Sequence, residues 1–546
     1  MDWKLAVERM SLKEKIGQLV LCGFPGTNVP EELAGLIREY RISGVILFAR
    51  NVDTVEQVAV LTGELQRVAA EAGVLPLWIS IDQEGGMVAR LTEGVALMPG
   101  NMALGAAGSA ELARQAAAVC GEELRALGIN MNYAPVLDVN NNAANPVIGV
   151  RSYGESPLLV AELGAASIVG YQSSGVAATA KHFPGHGDTS VDSHLDLPVV
   201  PHGRERMDRV ELVPFRRAIA VGVDLIMTAH IHFPALEPDR VPATLSKRVL
   251  TELLREELIF DGVITTDCME MNAISEHYGT VEASIMALEA GADLVLISHR
   301  IDRQRAALEA IEAAVVGGRI PMERIDESVR RVVRLKAKRG LLGGGAGAVS
   351  PEALASVGSA GHMEVARAAS EASITLVRNE GGVVPLKRVR TLAVTVAATA
   401  QTIADDELSA KSGLGAALAS YGLDCADVVL SAEEVGQRSA EIVEAGAAGD
   451  VAQIVVGVYN ASFHPAQIQL VRELQALGKP LAVVALRSPY DLLALGDVPA
   501  YVAAYENRPL SVQSSAKALL GLIPFRGKLP VSLGERYPAG WGLSLG

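Results

Sequence analysis

Aromatic side chains are scarce in this chain: Phe, Trp and Tyr make up 4% of its 546 residues. Hydrophobic residues nevertheless reach 49%, so Ala, Val, Leu and Ile must build the cores. Cysteine is scarcer still. The four cysteines (Cys22, Cys120, Cys268, Cys425) stand far apart and lack metal-ligand spacing. Free thiols in a reducing compartment are expected. Basic residues are outnumbered, 48 against 63 acids, giving a formal charge of −15. That disfavours nucleic acid as the main partner. The N-terminal stretch MDWKLAVERMSLKEKIGQLV has no charged start leading into a long apolar run, so no signal peptide is expected. No run is long and apolar enough to span a bilayer. Together these absences predict an acidic cytoplasmic enzyme with no membrane partner. Nothing in the sequence chooses between monomer and homodimer.

What the chain does have is concentrated in Lys181 to Pro198, KHFPGHGDTSVDSHLDLP. Three histidines (His182, His186, His194) and three acids (Asp188, Asp192, Asp196) fall within these eighteen residues. The preceding GVAATA reads as a buried strand that delivers Lys181 and His182. Gly185 and Gly187 predict a mobile loop after it. Asp192-Ser193-His194 is a candidate acid/base dyad, because a carboxylate beside an imidazole sets its tautomer and favours its protonated form.

Eight short apolar runs punctuate the first 340 residues: 16–24, 44–49, 76–82, 130–139, 175–183, 223–230, 262–267 and 292–298. Helix-like sequence separates them, as at Thr54 to Ala72 and Ala110 to Ala126. Eight βα units predict a (β/α)8 barrel, with an open doubly wound sheet as competitor. Charged or histidine residues stand at seven of the eight run ends. They are Arg50, Asp82, Asp138, Lys181 with His182, His230, Asp267 and His299. In a barrel these ends share one face, where active sites are built. Asp267 reads either as a helix N-cap or as a nucleophilic carboxylate at the barrel mouth. Arg90 and Arg151, taken singly, read as surface ion pairs more readily than as ligand clamps.

The Gly/Ala/Ser-rich stretch 341–362, LLGGGAGAVSPEALASVGSAGH, is the predicted linker between a barrel domain (1–340) and a second domain (363–546). Apolar runs at 391–396, 454–458, 481–486 and 501–505 alternate with helical stretches at 467–477 and 512–522. They predict a smaller three-layer α/β/α sandwich. It carries no glycine-rich phosphate loop and no catalytic acid pair. Its expected role is packing that shields one side of the barrel.

Four segments carry a family resemblance: IDQEGGMVARL (81–91), NYAPVLDVNNNAANPVIGVRSYGE (132–155), KHFPGHGDTSVDSHLDLP and FDGVITTDCMEM (260–271). With them the chain resembles glycoside hydrolase family 3, in its β-N-acetylglucosaminidase branch. The resemblance implies that Asp267 is the nucleophile and His194 the general acid/base, paired with Asp192. It implies that Asp82, Arg90, Arg151, Lys181 and His182 bind the sugar. The activity implied is retaining, exo-acting removal of GlcNAc, from cell-wall GlcNAc–MurNAc fragments or chito-oligosaccharides, with no cofactor and no metal. Because the acid/base is in the barrel, the barrel alone is expected to keep activity. Met87 stands where the family commonly has arginine, and is expected to be peripheral.

A histidine acid/base places no fixed negative charge where the acceptor arrives. A phosphorylase using the same residues is therefore the sister reading. Two rivals lie further off. A metal-dependent barrel hydrolase would draw on His182, His186, Asp188, Asp192, His194, His230 and Asp267. A retired barrel would bind sugar without turnover.

Overall fold

The computed structural model describes residues 2–190, 197–343, 349–400 and 413–545. Each of the eight apolar runs contributes one strand: β1 (Val20–Cys22), β2 (Gly44–Leu47), β3 (Trp78–Ile81), β4 (Met131–Asn132), β5 (Ala177–Phe183), β6 (Leu225–Thr228), β7 (Val263–Cys268) and β8 (Leu294–Ile297). They pair in parallel, and the ring closes where Val20 of β1 pairs Val295 of β8. The (β/α)8 barrel is thus the fold, and the open sheet is excluded. Strands buried on both faces need no alternation, which is why they read as continuous Val, Ile, Leu and Ala. Every residue in the eight strands is buried except Asp267, near the end of β7.

The helices form as their caps dictate. Thr54 caps Val55–Glu71 by accepting from the Gln57 N–H, and Ser109 caps Ala110–Ala126 by accepting from the Leu112 N–H.

The second domain is a six-stranded sheet between helices. Its strands are β9 (Thr375–Asn379), β10 (Thr391–Val396), β11 (Cys425–Leu430), β12 (Gln453–Val458), β13 (Leu481–Ala485) and β14 (Ala500–Ala503). Their spatial order is β9-β14-β13-β12-β10-β11, parallel except for β9. Strand β11 escapes the apolar-run reading because it is an edge strand, only partly buried, with Asp427 in its middle. On the other edge the segment around Leu543 runs back along β9. Leu543 N–H donates to the Leu376 carbonyl (2.7 Å), and Trp541 Nε1 donates to the Val377 carbonyl (2.8 Å).

The stretch 349–362 is tied to the barrel. Glu123 accepts from the Gly358 N–H and meets His362 Nδ1, both at 2.8 Å. The sandwich core also takes in barrel residues: Met87, Met102, Ala103, Ala106 and Val150 pack within it. The expectation for Met87 is corrected here. It is 3% exposed and belongs to the contact between the domains.

Candidate active site

The strand ends open into a cavity of about 240 Å³ at the C-terminal mouth of the barrel. Asp82, Arg90, Arg151, Lys181, His182 and Asp267 all line it. Six of the eight residues expected at the site are therefore gathered in one place. The other two, Asp192 and His194, lie outside the described residues.

Asp82 follows β3 directly. The chain then folds back as a small hairpin of Gln83–Gly85 and Val88–Ala89. Gln83 staples it: its Oε1 accepts from the Arg90 and Leu91 N–H groups (2.9 and 3.0 Å). Its Nε2 donates to the Leu91 carbonyl (2.8 Å). That return brings the Arg90 guanidinium back toward Asp82, Nη2 to Oδ2 3.7 Å.

Two residues past Asp82, Glu84 is the hub of the site, and the sequence reading missed it. Arg151 grips Glu84 with two bonds, Nε to Oε2 at 2.9 Å and Nη2 to Oε1 at 2.7 Å. Lys181 Nζ lies 2.7 Å from Glu84 Oε1 and 2.8 Å from Asp82 Oδ1. Burial opposes the charge on Glu84, yet Arg151 and Lys181 outweigh it and hold the carboxyl well below the ordinary range. Burial likewise opposes the Lys181 charge, and Asp82 and Glu84 overcome it, so its pKa is raised. The surface-pair reading of Arg90 and Arg151 is wrong, since both are buried. A single apolar-run scan has no way to see Glu84, because its partners come from distant segments. The spacing Asp82-x-Glu84 just past a strand end was the available signal.

Asp138 acts behind the wall. Its Oδ2 lies 2.7 Å from His182 Nδ1, and its Oδ1 accepts from the His182 and His186 N–H groups (3.2 and 2.7 Å). It therefore fixes the Nδ1–H tautomer of His182, leaving Nε2 as the outer nitrogen. Burial and the neighbouring His182 push His186 down to about 4, so it is neutral near pH 7. A Cβ at Gly187 would lie 1.8 Å from the Val139 carbonyl, so this glycine permits close packing on the barrel.

Of the other strand ends, Arg50 and His299 line the cavity with Phe48. The Arg50 guanidinium sits 4.3 Å over the Phe48 ring and donates to the Phe24 and Ser298 carbonyls. His230 turns elsewhere, to Thr244 Oγ1 (2.7 Å) and the Cys268 carbonyl (2.9 Å). Asp188 pairs with His202 Nε2 at 2.5 Å. Glu270 accepts from the His299 N–H at 2.6 Å. Neither acid is among the residues that line the cavity. Among the described residues no three His, Cys, Asp or Glu side chains are grouped to hold a metal ion.

A family model described as the glycosyl hydrolase family 3 N terminal domain matches residues 11–335. A solved glycoside hydrolase family 3 β-N-acetylglucosaminidase from Paenibacillus sp. str. FPU-7 superposes with a TM-score of 0.90. It is 50% identical and covers 96% of this chain and 99% of that one. β-Hexosaminidase A of Pseudoalteromonas piscicida is 35% identical over 94% of this chain and 92% of its own length. A β-N-acetylglucosaminidase/β-glucosidase of Cellulomonas fimi is 31% identical over 97% and 95%. The closed barrel, the charged cluster at its mouth and the length of these matches agree: the chain belongs to glycoside hydrolase family 3.

Proposed function

We propose that this glycoside hydrolase is a retaining, exo-acting β-N-acetylglucosaminidase. In this reading it removes terminal GlcNAc from cell-wall fragments of GlcNAc–MurNAc type in the cytoplasm. The observation that supports it most is the pairing of opposites in the cavity. Polar and charged groups that suit sugar hydroxyls line the same space as Asp267, the only incompletely buried residue of the barrel strands.

Lys181, Arg90 and Arg151 set three positive charges against the two of Asp82 and Glu84. With Arg50 the cations of the cavity number four, against Asp82, Glu84 and Asp267. Held by residues that are themselves ion-paired, these donors and acceptors need no rearrangement when the sugar enters. Asp267 attacks the anomeric carbon, giving a glycosyl-enzyme. His194, with Asp192 beside it in sequence, protonates the departing oxygen and then takes a proton from the incoming water. Asp82, Arg90, Arg151, Lys181 and His182 hold the hydroxyls and the N-acetyl group.

The test is covalent. A slow GlcNAc donor fluorinated at C5, which keeps the 2-acetamido group, should label one peptide, on Asp267, and Asp267→Asn should take up none. A label on any other residue sinks the assignment. Product analysis with and without phosphate separates hydrolysis from phosphorolysis, and free GlcNAc is the expected product in both buffers.

A further inference from the structure

Asn145 stands before Pro146 in the loop that follows β4, and proline has no N–H to offer. The Asn145 carboxamide oxygen therefore reaches past it and accepts from the Val147 and Ile148 N–H groups (2.9 and 2.8 Å). That closes a turn which continues into Gly149–Arg151, where the Arg151 N–H donates to the Ile148 carbonyl at 2.8 Å. The carboxamide nitrogen serves the next βα unit. It donates to the His186 and Gly187 carbonyls (2.9 and 3.0 Å) and to Thr189 Oγ1 (3.3 Å). Oxygen toward N–H groups and nitrogen toward carbonyls is the one orientation of the amide that satisfies both ends. A single buried side chain joins the turn that delivers Arg151 to the turn that follows β5.

The backbone of His186 is held on both sides. Asp138 Oδ1 accepts from its N–H at 2.7 Å, and Asn145 donates to its carbonyl. Thr189 Oγ1 lies 2.8 Å from His186 Nδ1, and Asn142 Nδ2 donates to the Thr189 carbonyl at 3.3 Å. Asp138, Asn142 and Asn145 all precede Arg151 in one loop, and that loop grips residues 186–189. Arg151 and His186 line the sugar cavity, whereas Asn145 is not among the lining residues. Thr189 precedes Asp192 by three residues and His194 by five. Five residues reach at most about 18 Å, so the place of Thr189 bounds the place of His194.

We propose that Asn145 is a positioning residue for proton transfer to the leaving group, fixing the root of the segment that carries His194 against the turn that places Arg151. The proposal rests on the glycosidase reading above, with His194 as acid/base. A general acid must come within hydrogen-bond reach of the departing oxygen, and the sugar is held by Arg151 and its neighbours. The two must keep register, since a misplacement of about 1 Å is enough to slow a reaction a hundredfold. Asn145 keeps that register because the two ends of its amide bond to the two turns concerned.

Asn145→Asp tests this with a nearly isosteric change. It keeps one oxygen for the Val147 and Ile148 N–H groups and sets the other against the His186 and Gly187 carbonyls, so it breaks the tie at one end alone. Thr189→Val loosens the same tie from the opposite side. Two aryl β-GlcNAc substrates are compared, one releasing phenol and one releasing 2,4-dinitrophenol, which needs little protonation. In Asn145→Asp, kcat/KM should fall about 10- to 100-fold for the phenyl glycoside and less than about threefold for the dinitrophenyl glycoside. Azide should raise kcat of this variant on the dinitrophenyl glycoside and yield the β-glycosyl azide. Thr189→Val should show the same inequality on a smaller scale. A staple that only supports the fold would slow both substrates alike, so equal losses overturn the proposal, as does a variant that loses nothing on either. Should Asn145→Asp not fold, Thr189→Val decides by the same two outcomes. His194→Ala, measured alongside, separates the failures. Equal losses there defeat the acid/base assignment and this proposal with it. The inequality in His194→Ala without it in the other two variants defeats this proposal alone.

Discussion

Replacing Glu84 by Gln would leave Arg151 and Lys181 buried with half of their compensation removed. Unpairing a buried charge costs about 3–5 kcal/mol. Glu84→Gln should therefore lower the unfolding free energy by about 3 kcal/mol in urea titration. It should also cut kcat/KM on an aryl β-GlcNAc by at least about tenfold, because Lys181 loses one of its two anchors. Retained stability with retained activity would remove Glu84 from the site. His194 is tested differently. His194→Ala should hurt substrates with poor leaving groups most, and azide should restore turnover with a good one, giving the β-glycosyl azide. Equal losses for both leaving groups, with no azide rescue, would point to an acid supplied by another residue. Asp267, Asp82, Lys181 and His182 are legible in the sequence because strand ends in a barrel share a face. Asp138 is legible in the same way, near the end of its run, whereas Glu84 acts through partners from distant segments and only its spacing from Asp82 announces it. At Gly187 the close neighbour, the Val139 carbonyl, belongs to the preceding βα unit, so no local pattern shows the packing need for glycine.

Among the elements, the hairpin after β3 depends most on a distant part of the chain. Arg508 Nε donates to the Gly86 carbonyl at 2.6 Å, and Glu506 accepts from the Gly100 N–H at 2.8 Å. Gly86 has φ +57°, and a Cβ there would meet Glu506 Oε2 at 2.7 Å. The second domain thus clamps the element that carries Glu84 and Arg90. Burial pushes the Glu506 carboxyl up to about 7. A folded-state pKa above the unfolded value means that the native chain holds the proton more tightly. Stability from this group is complete below about pH 4.5 and is lost as pH rises toward 7. Glu506→Gln should therefore raise the melting temperature at pH 8, by an amount worth about 1–3 kcal/mol. The gain should shrink toward pH 5. A gain that does not change with pH would show that Glu506 titrates alike in the folded and unfolded chains. Strand β11 shows the converse limit of sequence reading. An edge strand with a charged middle has neither the apolar run of a buried strand nor clean alternation.

For the whole molecule, the sequence predicts two domains of known architecture but misjudges what joins them. A barrel that contains its own nucleophile and dyad reads as self-sufficient. The structure instead places Met87, Met102, Ala103, Ala106 and Val150 in the second domain's core. A chain cut to residues 1–340 would expose them and release the clamped hairpin. Such a barrel should lose at least about a hundredfold in kcat/KM on an aryl β-GlcNAc, or fail to stay monomeric by light scattering. Wild-type kinetics from a soluble barrel would show that the hairpin holds its own shape.

The segment laid along β9 has a consequence for how copies of this protein behave at high concentration. An open strand edge offers a row of N–H and C=O groups on which another chain can add. Leu543 and Trp541 occupy the Leu376 and Val377 carbonyls on that edge. Peeling them away would turn a finished border into a growth surface, with polymerisation as the cost.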